Sequence, residues 1–212
     1  MILYLHGFAS GPGSAKGRAL AERFAARGVP FERADLTPGE DGFERSTPLT
    51  MLAEVERLSA ALRPRAVMGS SLGGYLAALS SSRGTTTAER LVLLAPAFRL
   101  FERWRARLAP STERLWRERG LVFHHHATDR DRRLGWAFME DAATLPPFPE
   151  VKVPTLCIAG RSDETVPLAD VEAFVERTPT ARLVVVDDGH ELVASIDRIE
   201  AEAREFLAPV LT

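Results

Sequence analysis

Short apolar runs separated by longer stretches of helical period constrain this 212-residue chain more than any other feature. The runs at residues 2–6, 30–36, 66–70, 91–97, 155–160 and 182–187 are mostly unbroken Val, Leu and Ile. Such runs read as strands covered on both faces, and their alternation with helices reads as a parallel sheet with crossover connections. Helices are expected at 14–27, at 47–63, from Leu72 onward, and over the last two thirds of 191–207. Gly28 sits where the first would stop. Thr47 and Pro48 form an N-cap and first-turn pair for the second, and its Leu52, Val55, Leu58 and Leu62 recur at helical spacing. The expected fold class is α/β, with about six mainly parallel strands flanked by helices.

A chain of this length buries about 70% of its unfolded surface and reads as a single domain over residues 1–212. Residues 98–154 break the rhythm. They show no clear strand and hold all three tryptophans, three of the five histidines, and ten arginines against five acids between Arg99 and Arg133. A segment so long inside a compact domain has structure of its own, so a small, mostly helical cap over the C-terminal edge of the sheet is expected there. The prolines at 146, 147 and 149 would return the chain to the sheet. A net charge of −2 argues against nucleic acid or an anionic membrane as partner. The N-terminal apolar run is too short for a signal peptide or a membrane span. The single cysteine, Cys157, excludes an internal disulfide framework and reads as a core residue. Together these features predict a cytoplasmic protein, and none of them fixes an oligomeric state.

The chemistry begins at Gly69-Ser70-Ser71-Leu72-Gly73, a G-x-S-x-G sequence between an apolar run and a helical stretch. As a bare pattern it is a Gly/Ser loop. Between strand and helix it is the context of a nucleophile elbow, which presents Ser71 on a strained turn at a helix N-terminus. A serine hydroxyl needs a base, and His190 follows the last apolar run in Asp187-Asp188-Gly189-His190-Glu191. The imidazole needs an orienting carboxylate. Asp163 follows the run at 155–160, although it could instead cap a helix starting near Pro167. Glu164 is its nearest competitor, with Asp187 and Asp188 behind it. The chain order Ser, Asp, His is that of α/β-hydrolases. The amides of Phe8 and Leu72 are the expected oxyanion donors. His6, ending the first run, reads as a structural hydrogen-bonder rather than a second base.

Other features admit two readings. His124-His125-His126 resembles a metal tract, but consecutive residues point in different directions and no acidic or cysteine partner stands at ligand spacing, so no metal is expected. One of these histidines could reach the pocket. The arginines of 98–154 could attract coenzyme A phosphates, or simply coat a solvated helical face in a chain whose only lysines are Lys16 and Lys152. Trp104, Trp136 and Phe138 could line an acyl or aromatic pocket, or form the cap's own core.

These motifs resemble the α/β-hydrolase superfamily. Within it, Leu3-Tyr4-Leu5-His6-Gly7-Phe8 with Ser14-Ala15-Lys16, together with Gly69-Ser70-Ser71-Leu72-Gly73-Gly74-Tyr75, is similar to the small YqiA-like esterases. The resemblance implies the α/β-hydrolase fold, a Ser71–His190–Asp163 triad, a small ester or thioester substrate cleaved through an acyl-enzyme, and no cofactor. Residues 98–154 carry none of it. An acyl-CoA thioesterase is the alternative enzyme, and a hydrolase-fold binding protein without turnover is the alternative of another class.

Overall fold

The computed structural model describes residues 1–211. In chain order the elements are β1 (Ile2–Leu5), α1 (Ala15–Ala25), β2 (Phe31–Arg33), α2 (Pro48–Leu62), β3 (Ala66–Ser70), α3 (Leu72–Ser82) and β4 (Arg90–Leu94). There follow α4 (Leu100–Arg107), α5 (Pro110–Arg119), β5 (Leu121–His125), β6 (Arg130–Leu134) and α6 (Ala137–Ala142). The chain then completes its sheet with β7 (Thr155–Gly160), α7 (Leu168–Glu176), β8 (Ala181–Val186) and α8 (Ile196–Leu207).

Six strands form one sheet in the order β2-β1-β3-β4-β7-β8, every pair parallel. Alternate side chains leave each strand on opposite faces, and two separate cores result. Leu3, Leu5, Val67, Leu91, Leu93 and Cys157 face α2, α3 and α7, where Leu52, Val55, Leu76 and Phe174 meet them. Ile2, Tyr4, Met68, Val92, Leu156 and Ile158 face α1 and α8, where Leu20, Phe24, Ile199 and Leu207 meet them. Each large aliphatic side chain so buried contributes about 1.5–3 kcal/mol. The order reverses beside β1, which has β2 on one side and β3 on the other. The crevice at the carboxyl ends of β1 and β3 is where ligands bind in open α/β sheets.

Helix ends follow their capping chemistry. The Ser14 side chain accepts the Gly17 amide, and Thr47 and Thr50 exchange hydrogen bonds in a capping box ahead of Pro48. Two apolar runs end sooner than expected. The second is ordered as a strand only over Phe31–Arg33, because it is an edge strand paired with β1 alone. The fourth ends at Leu94 because Ala95 takes φ 43° and turns the chain out of the sheet.

Residues 98–154 are mostly helical in their ordered elements, as expected, but they correct the expectation of a segment without strands. Besides α4, α5 and α6 they contain an antiparallel hairpin, β5 paired with β6. Gly120 ends α5 with φ 74°, and the following run alternates in burial, with His125 turned inward and Val122 and His124 outward. The period-2 signal was present but masked by three adjacent histidines and a strand partner dominated by arginine. The hairpin is tied down at both ends. Arg132 forms an ion pair with Glu44, and the His126 amide donates to the Ala9 carbonyl at 2.8 Å.

Candidate active site

Ser71 occupies the turn from β3 into α3 with φ 52° and ψ −117°, a region non-glycine residues rarely enter. The turn is held on both sides. Its amide donates to the Leu94 carbonyl at 2.9 Å, and its carbonyl accepts from Ala97 at 3.0 Å and Tyr75 at 3.1 Å. The flanking glycines are there for close approach, since a Cβ on Gly69 would collide with the backbone of Gly73, and one on Gly73 with the carbonyls of Leu5 and His6. This approach brings α3 and the loop after β1 against the same turn. A Cβ on Gly7 would already lie 3.4 Å from the Ser71 Cβ.

His190 lies in the loop between β8 and α8, and its Nε2 stands 3.0 Å from the Ser71 Oγ. Its Nδ1 stands 2.8 Å from the Asp163 Oδ2. With Nδ1–H donating to the carboxylate, Nε2 is left to accept the serine proton. Asp163 also caps its own loop, its Oδ1 accepting the amides of Thr165 at 2.8 Å and Val166 at 2.7 Å. The helix-cap alternative is not met, since α7 starts behind Pro167 with no side-chain cap; Asp163 instead divides its oxygens between the imidazole and its own loop. Burial by itself would raise this carboxyl. The hydrogen bonds from His190 and from the Val166 and Thr165 amides outweigh it and hold the group below the usual carboxylate range.

The competing acids stand elsewhere. Glu164 is exposed, and Asp187 pairs with Arg161 on the surface. Asp188, which sequence reasoning considered only as a rival acid, braces the histidine loop by accepting the amides of Gly189 at 2.7 Å and Ser195 at 2.9 Å. The amides of Phe8 and Leu72 have no acceptor among the described residues, which leaves both free for an oxyanion. His6 donates from Nδ1 to the Gly7 carbonyl at 2.8 Å, and its Nε2 accepts the Leu36 amide at 3.2 Å. Both ring nitrogens are therefore spent on holding loops.

Ser71 and His190 line a cavity of about 630 Å³. Phe8, Leu100 and Trp104 form its apolar wall, and Ser10, Lys16 and Arg18 also border it. The structure redistributes the three expected pocket aromatics. Trp104 borders this cavity, whereas Trp136 lines a separate one of about 320 Å³ with Tyr75 and Phe101. Phe138 is fully buried and packs on Phe8, Phe101 and Trp104. Its place is beneath the pocket wall, because α6 turns its apolar side toward α2 and the core. Of the three histidines only His126 reaches the cavity. His124 points to Asp129 and Asp131, each 3.4 Å away, while His125 packs its ring on Phe43. No group of three or more His, Cys, Asp or Glu among the described residues could hold a metal ion.

Lys16, which the sequence offers only as part of the Ser14-Ala15-Lys16 motif with no role attached, also stands at the site. It is 6% exposed, and its Nζ donates to the Ser70 hydroxyl at 2.9 Å. Burial lowers its pKa, while the negative charges of Glu191, Asp163 and Asp188 act in the opposite sense. Its signal in the sequence was its rarity, as one of two lysines in an arginine-rich chain, placed in the first turn after the loop that carries Phe8. Among the described residues no helix is long and apolar enough to cross a membrane.

Comparison with solved structures places this architecture among α/β-hydrolases. α/β hydrolase domain-containing protein 10 from mouse superposes with a TM-score of 0.81 at 20% identity, over 99% of this chain and 90% of that one. Est1E from Butyrivibrio proteoclasticus, with ferulic acid bound, gives 0.76 at 21% identity over 98% and 88%. A thermophilic esterase from Thermogutta terrifontis gives 0.68 at 22% identity over 100% and 90%. At these identities the likeness is one of fold. No curated protein matches the sequence. One family model does, over residues 1–207 and so nearly end to end. By that match the chain, which resembles the YqiA-like α/β-hydrolases, belongs to the uncharacterised protein family UPF0227.

Proposed function

We propose that this chain is a serine hydrolase that cleaves carboxylic ester bonds of small substrates, with Ser71, His190 and Asp163 as its triad. The observation that carries the reading is the pair of hydrogen bonds from Ser71 to His190 at 3.0 Å and from His190 to Asp163 at 2.8 Å, on the strained turn of β3 into α3. Ser71 Oγ attacks the ester carbonyl as His190 Nε2 takes its proton, and Asp163 holds the imidazole in the tautomer that can do so. The oxyanion forms toward the amides of Phe8 and Leu72, each worth about 3 kcal/mol to the transition state. Protonated His190 then gives its proton to the departing alkoxide, leaving an acyl-Ser71. Water, deprotonated by His190, attacks the acyl carbon and releases the carboxylic acid with Ser71 restored. No step calls for a cofactor.

Residues 98–154 act as a cap in this reading. Their hairpin touches the loop that carries Phe8, through the His126 amide and through Ala127 packed on Gly11, and α4 supplies Leu100 and Trp104 to the cavity wall. At the Ser71 cavity the acyl-CoA alternative gains nothing from the arginines of this segment, because none of the ten between Arg99 and Arg133 borders it. Arg99, Arg103, Arg117 and Arg132 are paired with Asp170, Glu102, Glu113 and Glu44.

The test is turnover of p-nitrophenyl esters from acetate to palmitate by wild type and Ser71→Ala. Turnover that vanishes in the variant supports the reading, and the preferred chain length reports the depth of the Trp104 side of the cavity. A correctly folded wild type inert toward every ester and thioester would leave the binding-protein reading in its place.

A further inference from the structure

The cavity lining is of two kinds: Phe8, Leu100 and Trp104 are apolar, whereas Lys16, Arg18, Ser10 and Glu191 are charged or polar. Lys16 is the anomaly. An ammonium has three protons to donate, and this one is 6% exposed with a single hydrogen-bond acceptor, the Ser70 hydroxyl. Among the described residues no carboxylate stands within ion-pairing distance of it, although the nearby Arg23 and Arg27 of the same helix region pair with Asp197 and Glu200. Glu191, Asp163 and Asp188 act on this cation only from beyond ion-pairing distance, and a buried cation without a directly paired carboxylate is unfavourable. Ser70 is also the residue immediately before Ser71, so the ammonium lies beside the nucleophile's own turn.

We propose that Lys16 binds a free carboxylate carried by the substrate, making esters that bear a second, ionised carboxyl group the preferred class. This deepens the serine-hydrolase reading and rests on it. A single negative charge matches the single buried ammonium. A phosphate dianion would bring a second charge into a region where Glu191, Asp163 and Asp188 already contribute negative potential. The apolar lining at Trp104 then holds the rest of the molecule, with the scissile carbonyl at Ser71.

The experiment compares two esters of equal carbon count, the mono-p-nitrophenyl ester of glutaric acid and p-nitrophenyl pentanoate, on wild type and Lys16→Met. The ratio of their kcat/KM values is expected to fall about 10- to 100-fold in the variant, the range of a charge-assisted hydrogen bond. An equal loss on both esters would assign Lys16 a purely structural role and overturn the proposal. Glu191→Gln, at an exposed position, covers the case in which Lys16→Met does not fold. Removing that negative charge from the cavity border is expected to raise the same ratio about twofold or more, and an unchanged or lower ratio counts against the proposal. Should wild type cleave neither ester, the hydrolase reading fails by itself. Calorimetric titration of Ser71→Ala with monomethyl glutarate then decides the site, with binding that disappears on adding Lys16→Met as the expected result and no binding as the contrary one.

Discussion

Asp163→Asn separates the two duties of one carboxylate. The replacement keeps the size of the side chain but turns one oxygen into an NH₂ group. If the remaining oxygen stays with the Thr165 and Val166 amides, at 2.8 and 2.7 Å in the wild type, the NH₂ faces the His190 Nδ1. That nitrogen must then accept, the ring proton moves to Nε2, and an N–H points at Ser71 where a lone pair is required. The expected fall in kcat is about 10⁴-fold, or about 5.5 kcal/mol of transition-state stabilisation. The loop loses only the difference between a charged and a neutral acceptor, about 1–2 kcal/mol, which in a chain of this size moves Tm by about 2–8 °C. Asp163→Ala should lose the same activity but about 2–4 kcal/mol of stability, because the buried Val166 amide is then left without an acceptor. Exposed Glu164→Gln should change kcat less than about twofold. Steady-state kinetics paired with thermal melts read all three. The reasoning is refuted if Asp163→Asn keeps more than about a tenth of the activity, or if Glu164→Gln loses more than it does.

Two further outcomes follow from the packing around the site. Gly73→Ala is expected to lose both stability and turnover, by about 2 kcal/mol or more in a urea melt, since its Cβ would meet the carbonyls of Leu5 and His6; a variant as stable as wild type would mean the approach of α3 to β1 is looser than described. Burial depresses the pKa of His6 and of His125 below the ordinary value of 6.5, so the unfolded chain binds more protons just below that pH. Stability should therefore be full above about 6.5 and decline as pH falls toward the depressed folded values, and urea midpoints unchanged between pH 7 and pH 5 would contradict it.

The sheet was legible because its strands are unbroken apolar runs, and two of them, Ala66–Ser70 and Thr155–Gly160, have the bounds read from the sequence. The helix starts at Pro48 and Leu72 were legible from a capping threonine and from the glycine-rich turn. Ser71, Asp163 and His190 could be placed at strand ends because each follows such a run, but the sharing of Asp163 between a loop and an imidazole is a matter of side-chain direction that spacing does not carry. The hairpin at Leu121–His125 and Arg130–Leu134 was missed because its outer face mixes Val122 with His124, Asp131 and Arg133, and only Leu121 and Phe123 carry the inward apolar alternation of its first strand. Lys16 stood in the sequence only as part of the Ser14-Ala15-Lys16 motif, because neither its burial nor the Ser70 hydroxyl it meets is carried by spacing. Trp104, Trp136 and Phe138 were indistinguishable in sequence, and the fold sends one to the Ser71 cavity, one to a second cavity and one to the core.

The central claim is that Ser71 is an activated nucleophile, and covalent labelling tests it most directly. Wild type and Ser71→Ala are each treated with a fluorophosphonate and measured by intact mass, with peptide mapping of any adduct. The account expects one adduct on the wild type, located on Ser71, and none on a variant with an unchanged circular dichroism spectrum. An adduct that persists on Ser71→Ala, or a folded wild type that takes none, would contradict it.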